Sequence, residues 1–172
     1  NIIFLSVHPM FGPGAKNLLH SKMIVVTVIH SEQEVEETKK IFPDADVVPA
    51  SPKEHDEAMA IILSLTHFIN FTYAFTLSSK DLESLRRLSG TTFNLQLTLA
   101  ESILHDGPEF LTTLQLDNKY AAKEIHKFVK MAESLENLTF QNEKEKLISK
   151  LINLRSTLEK DKNYNISYKK MY

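Results

Sequence analysis

The chain has 172 residues, with 20 Lys and Arg against 22 Asp and Glu, no Cys, no Trp and only 4 Gly. Without Cys there is no disulfide frame, zinc knuckle or thiol nucleophile, and the near-neutral charge argues against a nucleic-acid partner. At average usage such a length would hold about twelve Gly; the shortage leaves no G-x-G-x-x-G loop and no Walker loop, since Gly12 and Gly14 are the only close pair and position 17 is Asn.

The chain opens on Asn1 rather than Met. Ile2 to Leu5 is a continuous apolar run, which reads as a fully buried strand in the middle of a sheet. Such a strand needs neighbours on both sides, so the sequence reads as the C-terminal piece of a longer protein. His8-Pro9-Met10-Phe11-Gly12-Pro13-Gly14 follows as a loop just past that strand. Met23 to Ile29 is β-branched and apolar, a second strand. Ser31 is placed to cap a helix through about Ile41, with Glu34 as its capping-box partner. Pro43 stops that helix, and Ala45 to Val48 reads as a short strand. This β–α–β rhythm assigns residues 1–50 to the C-terminal part of a Rossmann-type α/β nucleotide-binding domain.

Residues 51–172 read as an all-helical domain, making the chain mainly α. Only Gly90, Gly107 and Pro108 interrupt the 120 residues after Pro52. Ser51, Pro52 and Glu54 form an N-cap, an N1 proline and a capping-box partner. The helix they start should reach about Leu77. It has no formal charge from Ala58 to Ser79, a length that raises the question of a membrane span. Ser64, Thr66, His67, Asn70, Thr72 and Thr76 argue instead for the buried centre of a helical domain, and no membrane partner is expected. A short helix should follow Ser79 or Asp81. Apolar stripes then mark three more helices: Phe93, Leu97, Ala100 and Leu104; Ala121, Ile125, Phe128, Ala132 and Leu135; Leu147, Leu151, Leu154 and Leu158. Gly107-Pro108 ends one helix and starts another. The tail from Asn163 is polar and carries three Tyr, and is expected to order against a partner surface.

His8 is the first candidate for chemistry. A loop outside the carboxyl end of a strand is where α/β sheets meet ligands, and imidazole takes a proton near neutral pH. The competing reading is a His that braces a turn. His55 and Asp56 sit in the first turn of the long helix, where Asp suits the helix dipole. His67 lies eleven residues beyond Asp56, close to three α-helical turns, which would put Asp56, Ala60, Leu63 and His67 on one face. His67 is either a ligand contact or a satisfied core residue. Arg86 and Arg87 end the short helix, where they either balance its dipole or grip carboxylates. The seven His hold no His-x-x-x-His or His-Glu-x-x-His pair, so no metal is expected.

Together these residues resemble the prephenate dehydrogenase family. Its strand followed by His-Pro-Met-Phe-Gly-Pro is matched by His8 to Pro13. Its helix beginning Glu-His-Asp and later carrying His-Phe is matched by Glu54-His55-Asp56 and His67-Phe68. A third segment, Leu88 to Leu97, is similar to the family's Leu-Ser-Ser-Pro-Ile-Tyr-Arg-Leu-Glu-Leu. The resemblance runs from His8 to about Leu116. It implies NAD- or NADP-dependent oxidative decarboxylation of prephenate to 4-hydroxyphenylpyruvate, a cytoplasmic step of tyrosine synthesis. It implies that His8 takes the proton of the ring hydroxyl, that His67 lines the substrate pocket, and that Pro9, Gly12, Pro13, His55 and Asp56 shape the site. It also implies a homodimer through the helical domain. Lacking a phosphate loop in its composition, this chain alone is expected to bind no cofactor and to be inactive but dimeric. Many members carry Arg where Asn94 stands, to hold a substrate carboxylate, and an acidic residue where Gly14 stands. Arg86 or Arg87, one or two turns before Asn94, is then the candidate source of that charge. The alternatives are an arogenate-type dehydrogenase and a non-catalytic helical dimerisation or regulatory module.

Overall fold

Met23 and Val25 alternate inward on a strand of five residues, and that strand organises the first part of the chain. The computed structural model describes residues 2–12, 14–19 and 21–171. It divides into two compact units, Asn1–Ile62 and Leu63–Tyr172. In the first, β2 (Lys22–Val26) lies between β1 (Val7–Pro9) and β3 (Asp46–Ala50). β1 runs antiparallel to β2 with His8 opposite Ile24; β3 runs parallel to β2 with Val47 opposite Met23. The parallel pair requires a crossover, and helix α1 (Ser31–Ile41) supplies it. Met23 and Val25 are fully buried. Pro49 sits in β3, which has β2 on one side only among the described residues, so its missing N–H disturbs no inner ladder.

Three expectations fail here for local reasons. Residues 2–5 form no strand; the ladder ends where the Val26 N–H donates to the Ser6 carbonyl, and Ile2 and Phe4 stand exposed. β2 stops at Val26 rather than Ile29. The Glu34 carboxylate accepts the N–H groups of Val28, Ile29 and His30 at 2.7–2.9 Å, which turns the chain out of the sheet and into α1. Consequently His30, not Ser31, occupies the cap position, and no side chain caps it. Those three donors hold the Glu34 carboxyl below the usual carboxylate range.

The long helix starts as its sequence requires. Ser51 Oγ accepts from the Glu54 N–H, Glu54 returns to the Ser51 N–H, and Pro52 occupies the first turn. Pro52–Met59 (α2) is α-helical, Ala60–Leu65 is π-helical, and Thr66–Leu77 (α3) is α-helical again. The π segment spends extra residues on each hydrogen-bonded turn. It therefore removes the basis for placing Asp56, Ala60, Leu63 and His67 on one face, which assumed α geometry throughout. The boundary between the two units, Ile62 to Leu63, falls inside it.

The second unit is helical. α4 (Leu82–Leu88) is capped by Asp81 through the Ser84 N–H, α5 covers Thr91–Ile103, and α6 (Pro108–Leu116) begins with Pro in its first turn. α7 (Ala121–Phe140), α8 (Lys144–Leu158) and α9 (Tyr164–Met171) follow. α7 ends without glycine. Asn142 takes a left-handed φ of 52°, while Glu143 N–H donates to Leu138 O and Asn142 N–H to Thr139 O. That is a Schellman ending with Asn in the glycine place.

The core gathers Leu97, Ala100, Leu111 and Ala121. Phe68 meets Phe128 edge to face, with centroids 6.3 Å apart. Two buried polar residues of the long helix are satisfied by neighbouring helices: Ser64 Oγ donates to Leu114 O, and Asn70 Oδ1 accepts from Gln96. The apolar stripes are less covered than their spacing suggests. Leu104, Leu135, Leu151, Leu154 and Leu158 are all exposed, and Ala132 with them. α8 rests against α7 and leaves most of its Leu and Ile surface outward.

Candidate active site

His8 lies within β1 itself rather than on a loop beyond it. Its half-buried ring meets the helix that Ser51 caps: His8 Nδ1 is 2.9 Å from His55 Nε2, and His55 Nδ1 is 3.0 Å from Asp56 Oδ1. The two imidazoles stand edge to face at 5.2 Å. Burial, and then the neighbouring His55 charge, push the His8 pKa below the ordinary imidazole value. That shift favours the neutral ring, the state a general base needs.

The backbone around His8 is held on both sides. Pro9 pairs opposite Met23, and the Met10 N–H donates to Lys22 O. Gly12 is exposed and its carbonyl accepts the Ala15 N–H. Neither Gly12 nor Gly14 takes a positive φ, and a Cβ on either would meet nothing within 4 Å. Their own fold does not require glycine there. Pro13 lies outside the described residues.

The remaining candidates belong to the second unit. His67 is half-buried; its Nδ1–H donates to Leu63 O at 2.7 Å, which leaves Nε2 as an acceptor, and its ring stands edge to face on Phe71. Asn94 is exposed and accepts from Ser89 Oγ at 2.7 Å, tying the α4–α5 turn. Arg86 is ion-paired with Glu101 of α5. Arg87 is exposed on the same last turn. Among the described residues no group of three His, Asp or Glu side chains is arranged to hold a metal.

Sequence reasoning missed two features. One is the Gln96–Asn70 amide pair between α5 and α3; a polar residue at the seam of an apolar stripe was its signal. The other is an apolar groove of about 620 Å³ among α3, α6 and α7, lined by Phe68, Phe71, Phe75, Leu116, Ile125 and Val129.

Comparison with known proteins places the chain in a family and a fold. A family model described as "Prephenate dehydrogenase, dimerization domain" matches residues 51–153. The T-protein of Enterobacter agglomerans is 28% identical over 121 residues, covering 67% of this chain and 32% of that protein. A crystal structure of prephenate dehydrogenase from A. aeolicus, in complex with hydroxyphenyl propionate and NAD+, aligns with a TM-score of 0.66 at 22% identity, over 92% of this chain and 59% of that one. The arogenate dehydrogenase of Synechocystis aligns at 0.67 and 16% identity, over 91% and 61%. At such identities the structural likeness shows the fold. The chain spans about a third of the curated relative and about three-fifths of the solved chains.

Proposed function

Because the chain belongs to the prephenate dehydrogenase dimerization-domain family, we propose that it works as the C-terminal part of an enzyme that oxidatively decarboxylates prephenate to 4-hydroxyphenylpyruvate. The observation that carries this is His8, a half-buried imidazole whose burial favours its neutral form and which is backed by His55 and Asp56.

In this reading His8 accepts the proton of the substrate's ring hydroxyl. The electron pair left on oxygen forms the carbonyl as the ring carbon gives up hydride; loss of carbon dioxide and return of a proton to oxygen restore the aromatic ring. A nicotinamide, NAD or NADP, supplies the hydride acceptor when bound. The sequence has no glycine-rich phosphate loop, so this chain's residues are assigned only the substrate side, and the chain alone is inactive. We assign His67 a substrate contact through its Nε2. Arg86 is already engaged by Glu101, so Arg87 is the cation we assign to a substrate carboxylate, with Asn94, seven residues on, as a neutral donor.

The enzyme is a homodimer joined through its helices. Support comes from the outward Leu and Ile of α8, an unusually large apolar exposure for a lone protomer. The long apolar helix is long enough to cross a membrane by composition. Its buried Ser64 and Asn70 bond to neighbouring helices, which supports a packed core helix in a cytoplasmic protein. One observation favours a second reading. Asn94, where the family commonly has Arg, leaves that position without charge, which suits an arogenate-type substrate or a non-catalytic dimerisation module.

The test is nicotinamide reduction by the full-length protein, with prephenate and with arogenate. Turnover of prephenate is expected. Turnover of arogenate only selects the second substrate; none with either, in a folded dimer, contradicts the enzyme reading.

A further inference from the structure

We propose that Asp56 and His55 are positioning residues that hold His8 as the Nδ1–H tautomer, leaving Nε2 as its proton-accepting nitrogen. The inference rests on the reading of His8 as the base and specifies how that base is set.

Proton placement along two contacts sets the tautomer. An ionised carboxylate only accepts. The proton in the 3.0 Å contact between Asp56 Oδ1 and His55 Nδ1 therefore sits on His55. A His55 that carries its one ring proton on Nδ1 turns the lone pair of Nε2 toward His8. Two lone pairs cannot share a 2.9 Å contact, so the proton between the rings sits on His8 Nδ1. The nitrogen left to His8 for a substrate is Nε2, unprotonated. The opposite tautomer would present an N–H there and could not take a proton from a hydroxyl. Which ring nitrogen reacts is set by the bond the other one makes.

The scaffold suits this task. His8 is fixed on a strand paired with β2. His55 and Asp56 stand in a helix turn fixed by the Ser51–Glu54 capping box and Pro52. Asp56 is about half exposed, at 47% for its side chain. It therefore acts by orienting His55 more than by an unscreened charge.

Nuclear magnetic resonance of the full-length protein with 15N-labelled histidine reports the tautomer directly. His8 protonated on Nδ1 is expected in the wild type; His8 protonated on Nε2 overturns the proposal. Two variants test its consequence. In Asp56→Asn the amide can donate to His55 Nδ1 and invert both rings, so kcat should fall on the order of 10²-fold with KM little changed. His55→Ala should lower kcat similarly, again with KM little changed. His55→Gln, whose amide oxygen can accept from His8 Nδ1, should recover part of the loss. A kcat unchanged in Asp56→Asn and His55→Ala overturns the proposal. A wild type inert toward prephenate, with His8 still protonated on Nδ1, would sink the functional reading and leave the tautomer relay standing.

Discussion

The two units differ in where their polar bonds lie, although both leave large apolar side chains exposed. In residues 1–62 the groups that matter are polar, few and partnered: the Glu34 carboxylate collects three N–H groups, Glu54 closes its cap, and His8, His55 and Asp56 form a chain of bonds. In residues 63–171 the polar groups are satisfied inside, while large apolar side chains face outward along α6, α7 and α8. The first pattern suits the orienting role proposed for His55 and Asp56. The second suits the proposed dimer. Sequence periodicity does not separate these cases, because a stripe covered by its own chain and one covered by another copy read alike.

The sharpest way to break the contrast is to charge the outward stripe. The double change Leu151→Glu and Leu154→Glu should leave the protomer folded but abolish the dimer, since burying unpaired carboxylates in an apolar contact costs several kcal/mol, on the order of 2–7 for polar groups. Sedimentation equilibrium should find a monomer where the wild type is a dimer; a dimer unchanged would place the interface elsewhere. Next is the core of the same unit. Leu97 is 3% exposed, so Leu97→Ala should cost about 2–5 kcal/mol by chemical denaturation. A loss below about 0.5 kcal/mol would show that the seam is not closed. Smaller still is the α7 ending. Asn142→Ala should cost about 1–2 kcal/mol because its φ is left-handed, whereas Asn142→Gly should be neutral or slightly stabilising.

The mildest effect belongs to Glu34. Its folded pKa lies below its unfolded one. The stability it contributes is therefore complete above the unfolded carboxylate range and is lost as pH falls through the folded value. Glu34→Gln should flatten the acid side of a Tm-against-pH curve, as followed by circular dichroism. An identical slope in variant and wild type would contradict the role of the three N–H donors.

Much of the local structure was legible because it is written over three or four residues. The Ser51-Pro52-Glu54 start, the Gly107-Pro108 break and the Pro43 stop needed only nearest neighbours. What failed depended on longer reach or on a competing partner. Glu34 serves residues behind the helix rather than Ser31, so a capping-box spacing pointed to the wrong donor. Ile2 to Leu5 has strand composition, yet composition does not supply a neighbouring strand. The π segment at Ala60–Leu65 leaves no mark in apolar spacing. The His8–His55 contact joins residues 47 apart in the chain, which no local pattern anticipates. The motifs named these residues as neighbours of one site, but their order of hydrogen bonding came only from the fold.

The most direct measurement is steady-state nicotinamide reduction with prephenate, by the full-length protein and by its His8→Asn variant. The account predicts turnover in the wild type and a kcat about 10²–10⁴-fold lower in the variant, with the fold and dimer intact. A variant that keeps the wild-type kcat would contradict it.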